Sequence, residues 1–314
     1  MDPITHLTLG ACTGELILGK KLGKKAMLFG AIAANIPDVD IICGFFVPPD
    51  KALLIHRGIT HSLLFALVAG SILALVSKRI WRETSVYALA FFFCLELAMH
   101  DLLDTCTSYG TGLLEPFSHE RFSVHLLYVV DPLFTISLLI ASIYLIWAIN
   151  YRARVAGTAI IISGLYLCIG VFNKSYIDNN IKPSYATPAP FTNFFWYCIN
   201  KTDTGYYTGY VSVFDKAPIN YTWHPRNDAL LKQPEPALTT FANGYYTISR
   251  SQKGNLCFNI LRFGQIQGWQ NNNAPFALSF PLVKDKNNLV VHKGRLAGWN
   301  MHSLKKYIER IKGQ

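Results

Sequence analysis

Long uncharged stretches separated by short polar knots dominate residues 1–173. Residues 62–77 and 155–172 hold no charged side chain, 84–99 hold only Glu96, and 126–149 hold only Asp131. A further apolar stretch from Ala26 to Val47 is interrupted by Pro37-Asp38-Val39-Asp40, and a weaker one, 7–19, contains Glu15. A helix needs roughly 20 apolar residues to span a bilayer core. The pattern therefore predicts an α-helical polytopic membrane domain of five or six helices, several of them short or half-inserted. Six amphipathic helices of a soluble protein are the alternative, but a small bundle has little to cover the uncharged stretches with.

The period changes after Asn173. Pro183, Pro188 and Pro190 mark a linker. Beyond it lie short runs rich in Tyr, Phe, Val, Thr and Trp, bounded by Gly, Asn, Asp and Pro: 194–199, 206–214, 245–249, 256–263, 277–282 and 289–292. Such runs predict a mainly antiparallel β domain, and 301–312 has helical spacing with a basic end. The expected organisation is a helical membrane domain at 1–173, a linker at 174–190 and a β-rich domain at 191–314.

Charge sharpens this division. Residues 1–173 hold 12 basic and 12 acidic groups, whereas 174–314 hold 17 and 7, so the whole formal net charge of +10 lies in the second half. Within the first half, nine basic residues (Lys20, Lys21, Lys24, Lys25, Lys78, Arg79, Arg82, Arg152 and Arg154) fall in alternate connections, against Lys51, Arg57 and Arg121 in the others. The positive-inside rule places the nine in the cytoplasm. With six spans, the N-terminus, 38–61, 100–125 and the C-terminal domain then share the outer side of a bacterial-type inner membrane. The basic balance could hold the domain near anionic lipid headgroups, at about 1 kcal/mol per well-placed Lys or Arg, or serve solubility alone, and nucleic acid is disfavoured as a partner. Met-Asp-Pro offers no basic n-region, so no cleaved signal peptide is expected. Seven cysteines show no paired spacing; only Cys198 and Cys257 lie in the polar half, where a bridge between them stays open.

The polar knots carry the chemistry. Six of nine histidines lie in the first 125 residues, and imidazoles and carboxylates at the edges of membrane helices need partners. His100 and Asp104, four apart, project from one helix face and suit a shared cation. His56 and His61, in His-Arg-Gly-Ile-Thr-His-Ser, converge if His56 ends a loop and His61 opens the next helix, with Thr60 and Ser62 as capping residues. Arg57 could bind a phosphate or steady an anionic transition state, and Gly58 would permit a tight turn. Asp38 or Asp40 could bridge a second cation or act as a general base. His6 follows Asp2 by four residues at the same side. Glu96, one turn before His100, and Asp131, before Pro132, are candidate outer-shell groups. The metal set is therefore His6, His56, His61, His100 and Asp104, with Asp38, Asp40 and Arg57 catalytic. Imidazole and carboxylate together suit Zn2+, with Mn2+ or another divalent ion as an alternative.

Met-Asp-Pro-Ile-Thr-His at the start, Pro-Asp-Val-Asp, His-Arg-Gly-Ile-Thr-His-Ser, His-Asp-Leu-Leu-Asp-Thr and Val-Val-Asp-Pro-Leu-Phe, in this order over residues 1–140, resemble the YdjM-like family of inner-membrane metal-dependent hydrolases. The resemblance implies a helical membrane domain, a hydrolase and a metal at the histidines and aspartates named above. Family descriptions also include binding of the repressor LexA, which these motifs do not carry over. The expected activity is hydrolysis of a lipid-linked or phosphoester substrate at the outer membrane face. A divalent-metal transporter or sensor, and a non-catalytic envelope scaffold with a structural metal, are the rival readings.

Overall fold

The computed structural model describes residues 1–231, 235–250, 254–282 and 299–314, and the expected strand at 289–292 lies outside them. The chain divides into two compact units, Met1–Pro48 with Leu54–Gly170 and Pro190–Thr192, and Pro49–Leu53 with Val171–Ala189 and Asn193–Gln314.

Eight helices come first: α1 (Pro3–Leu22), α2 (Lys24–Ala33), α3 (Ile41–Gly44), α4 (Pro49–Ile55), α5 (Leu63–Lys78), α6 (Val86–Thr105), α7 (Pro132–Trp147) and α8 (Arg152–Asn180). One-turn 3-10 helices at Pro37–Asp40 and Ile59–His61 precede α3 and α5. The starts follow local chemistry. Asp2 caps α1 by accepting from the Thr5 amide with Pro3 in the first turn, and Ser62 caps α5 by accepting from the Phe65 amide. Asp131 caps α7 in the same way through the amides of Leu133 and Phe134.

In the first unit α1 packs on α2, α7 and α6, and α5 packs on α6. Small residues set the spacing: a Cβ on Gly30 would meet the Gly10 carbonyl oxygen at 2.0 Å, and one on Gly14 would meet the Ala26 oxygen at 2.2 Å. Backbones thus touch, as in membrane helix pairs built on small residues. Leu18, Ala26, Ala33, Ala74, Leu89, Phe92 and Phe93 form the apolar core beside this contact. Glu15 on α1 is buried, and Arg152 meets it with two nitrogens while also donating to the Leu145 and Ala148 carbonyls at the end of α7.

By length and composition, three helical segments among the described residues can cross a membrane: Lys24–Gly44, Val86–Thr105 and Arg152–Asn180. The pair Pro49–His61 and Leu63–Lys78, bent by 56°, makes a fourth if it counts as one span. The five or six helices expected are thus not matched by this measure. Helix α7 stops at 16 residues, and α1 spends its buried face on Thr5, His6, Thr8, Thr13 and Glu15.

The second unit is antiparallel. Strands β1 (Tyr185–Pro188), β2 (Phe195–Lys201), β3 (Gly205–Ser212) and β4 (Thr222–Pro225) form one sheet in that order; β5 (Tyr246–Arg250), β6 (Leu256–Gln265) and β7 (Phe276–Pro281) form another. Helix α9 (Pro236–Ala242) precedes β5, and α10 (Met301–Ile311) ends the chain. Residues 174–190, read from the sequence as a linker, contain the last turns of α8 and strand β1. Cys198, on β2, and Cys257, on β6, are free thiols, as are the other five cysteines. Burial pushes the Cys198 thiol up to about 12.

Candidate metal centre

Three elements of the first unit converge on one point. The 3-10 turn after α2 brings Asp38 and Asp40, the turn before α5 brings His61, and α6 brings His100 and Asp104 from one face. His61 Nε2 lies 3.1 Å from His100 Nε2, 3.3 Å from Asp38 Oδ1 and 3.5 Å from Asp104 Oδ2. His100 Nε2 lies 3.7 Å from each of the same two carboxylate oxygens. Asp38, His61, His100 and Asp104 each offer an atom within 4.8 Å of the others.

The hydrogens settle what this cluster lacks. His100 Nδ1 is 2.6 Å from the carbonyl oxygen of Ala34, which ends α2, so Nδ1 carries the proton and Nε2 a lone pair. His61 Nδ1 sits 3.1 Å from Thr60 Oγ1 and 3.3 Å from Asp40 Oδ2, which puts its proton there as well. Two imidazole lone pairs and two carboxylate oxygens therefore face one another without a hydrogen to share. A tetrahedron with bonds of about 2.0–2.2 Å has edges of about 3.3–3.6 Å, close to the five separations observed. The donor set fits a divalent cation.

The surroundings are built from the same motifs. Asp40 Oδ1 accepts from His56 Nδ1 at 2.9 Å, and Oδ2 accepts from the Arg57 amide at 2.9 Å and the Thr60 hydroxyl at 3.0 Å. Arg57 is left-handed, with φ 61°, whereas Gly58 is not. Glycine is needed at 58 for another reason: a Cβ there would lie 2.8 Å from the Ile55 oxygen. The Arg57 side chain is buried under the Tyr109 ring, with Nε 2.8 Å from Asp104 Oδ2 and a second nitrogen donating to Thr107 Oγ1 at 2.8 Å. Arg57 thus holds Asp104. Asp38 and His56, with side chains 17% and 25% exposed, are the accessible edge of the centre.

The remaining candidates take other places. His6 stacks on His100 with ring centroids 3.8 Å apart and holds Nε2 3.3 Å from Asp104 Oδ1, which the Met1 amine also touches; it lies beside the four-atom group. His56 belongs with Asp40. Glu96 does not bond His100, whose Nδ1 is taken by Ala34; it accepts from the Thr13 hydroxyl on α1. Asp131 is a helix cap that also accepts from the Tyr166 hydroxyl at 3.1 Å. His119 is exposed and pairs with Glu115. Asp101 is buried, and neither carboxylate oxygen has a hydrogen-bond partner among the described residues.

Three contributors were not read from the sequence. The Ala34 carbonyl orients His100, Thr107 anchors Arg57, and Arg121 donates to the carbonyls of Leu54, His56, Arg57 and Gly110. Backbone carbonyls carry no residue signature. Arg121, however, is the lone basic residue between Arg82 and Arg152, and a charge between membrane helices asks for a partner.

One relative is named as an inner membrane protein. Over 122 residues, 38% of this chain and 69% of the relative, the chain is 37% identical to the inner membrane protein YbcI of Escherichia coli (strain K12). Over 150 residues it is 25% identical to YfhP of Bacillus subtilis (strain 168), a match that covers 45% of each chain. No solved structure matches. A family model described as YdjM inner membrane protein matches residues 1–177, which take in every residue of the centre. This chain therefore belongs to the YdjM inner membrane protein family.

Proposed function

We propose that the chain is a membrane-embedded, metal-dependent hydrolase acting on a lipid-linked phosphoester at the outer face of the inner membrane. The observation that carries this reading is the meeting of four ligand atoms, one each from Asp38, His61, His100 and Asp104, within 4.8 Å of one another. Zinc suits that mixture of imidazole and carboxylate. Bound there, a divalent cation would supply Lewis acidity and an acidified water. The other work falls to the chain. His56 keeps its Nδ1 proton on Asp40 and so presents Nε2 as a proton acceptor at the accessible edge. Arg57 keeps Asp104 Oδ2 in place.

A lipid substrate is supported by the side chains between the ligands. Val39, between Asp38 and Asp40, and Ile59, two residues before His61, are 56% and 58% exposed. The turns that point polar groups inward thus present apolar ones outward. The nine-to-three bias of basic residues supports an extracytoplasmic centre and C-terminal domain. On this reading α1 and α7 also insert, giving six helical passes. Membrane lipids are then partners as well as substrates.

The test is release of phosphate from phosphatidic acid and from a polyprenyl diphosphate in nanodiscs. Wild type, chelator-treated protein, His61→Ala and Asp104→Ala are compared. The reading expects release by wild type that zinc restores after chelation, and none by either variant. Hydrolysis untouched by chelation and by both substitutions would refute it, and zinc uptake into liposomes without hydrolysis would favour transport.

A further inference from the structure

Two groups of histidine and aspartate here have metal-ligand spacing, and they share Asp38: one is Asp38, His61, His100 and Asp104, the other Asp38, Asp40 and His56. Spacing alone would fill both. We infer that the centre takes a single cation, and that Asp40 is a positioning residue that aims the imidazoles of His61 and His56 instead of binding a second ion. This rests on the metal reading given above.

The two groups differ in their protons. In the first, no hydrogen lies between the converging atoms, because Ala34 and the Thr60–Asp40 pair hold the protons of His100 and His61 on the far side of each ring. The second is already satisfied. A carboxylate offers about four lone-pair positions. Asp40 meets donors from His56, Arg57 and Thr60 at 2.9, 2.9 and 3.0 Å, and His61 Nδ1 stands at 3.3 Å. A cation at Asp40 would have to displace these donors, two of which are buried; Arg57 and His61 are 3% and 0% exposed.

All four donors come from the string His56-Arg57-Gly58-Ile59-Thr60-His61, so one carboxylate organises one loop. The left-handed backbone at Arg57 is part of this arrangement, since its amide donates to Asp40. By holding the His61 proton on Nδ1, Asp40 fixes the tautomer whose Nε2 lone pair would face a bound ion. Such carboxylate–histidine–metal relays orient ligands without touching the metal.

The full chain in nanodiscs tests this with zinc and cobalt as probes. Zinc per chain is counted, zinc affinity is measured by chelator competition, and the visible spectrum of the cobalt form reports the ligand geometry. Wild type should hold one zinc. Asp40→Ala should still hold one at saturation, with an unchanged cobalt spectrum and an affinity weakened about 10- to 100-fold. Asp40→Asn, which keeps one acceptor oxygen and the side-chain volume, should fall between the two; Asp104→Ala should lose the spectrum. Two zincs in wild type, a spectrum altered by Asp40→Asn, or an affinity unmoved by both Asp40 variants would overturn the inference. Wild type without zinc would instead overturn the metal reading itself.

Discussion

Adding one methyl group at Gly30 should disturb both the helix pair and the metal centre. The alanine Cβ would lie 2.0 Å from the Gly10 carbonyl oxygen, 2.9 Å from its carbon and 3.1 Å from the Gly14 Cα. All three atoms are backbone, so no rotamer change relieves the clash, and interiors this dense have no void to absorb it. Ordinary contact begins near 3.4 Å, so α1 and α2 must part by about 1 Å, at the about 1–3 kcal/mol typical of overpacking. The displacement reaches the site through one helical turn. Ala34 follows Gly30 by four residues, and its carbonyl accepts from His100 Nδ1 at 2.6 Å. A shift of about 1 Å would stretch that contact beyond hydrogen-bond range. Thermal unfolding in detergent without added metal, and zinc competition, are the assays. Gly30→Ala should unfold at lower temperature and bind zinc about 10-fold or more weakly. Gly164→Ala on α8, where an added Cβ meets nothing within 4 Å, is the control, and the better helix former should be neutral or stabilising. If both variants matched wild type in unfolding and zinc affinity, the backbone contact between α1 and α2 would be refuted.

Other substitutions probe separate links. Arg152→Ala strands the buried Glu15 carboxylate and should cost about 3–5 kcal/mol in reversible unfolding; Arg152→Met with Glu15→Gln should recover most of it. Arg57→Gly and Arg57→Ala both lose the bond to Asp104, but glycine tolerates φ 61° and alanine does not. The glycine variant should therefore be the more stable by about 1 kcal/mol, and equal stabilities would contradict the left-handed backbone. Arg121→Ala takes a donor from the carbonyls of Leu54, His56 and Arg57, so amide exchange across 54–58 should quicken while that of α8 stays unchanged. Zinc held at 100 times its Kd should stabilise the chain by about 2.7 kcal/mol, and EDTA should remove that increment.

Much of this was legible in the residues because the responsible forces are local. Aromatic and β-branched runs between turn residues gave strands β2, β3, β5, β6 and β7 to within a few residues. The His100 and Asp104 pair follows from helical spacing alone. The convergence of His61 on that pair followed from treating the motifs as one set, whereas Asp38, expected at a second cation or as a base, stands in the group where His56 was expected. What remained hidden depends on tertiary contacts. Nothing in His-Arg-Gly-Ile-Thr-His-Ser says that Arg57, beside a glycine, would take the left-handed turn and send its guanidinium to Asp104. Strands β1 and β4, four residues each, offer too short an alternation to read. The split between Asp40 as hydrogen-bond acceptor and Asp38 as open donor turns on which side of His61 each carboxylate lies, and Asp-Val-Asp is symmetric in that respect.

The count of bound zinc per chain, in wild type and in Asp38→Ala, His61→Ala, His100→Ala and Asp104→Ala, tests the central claim most directly. With all proteins equilibrated against the same free zinc in nanodiscs, the account predicts one ion in wild type and a large loss in every variant. Zinc-free wild type, or four variants that keep their ion, would contradict the convergence of these side chains on a single cation.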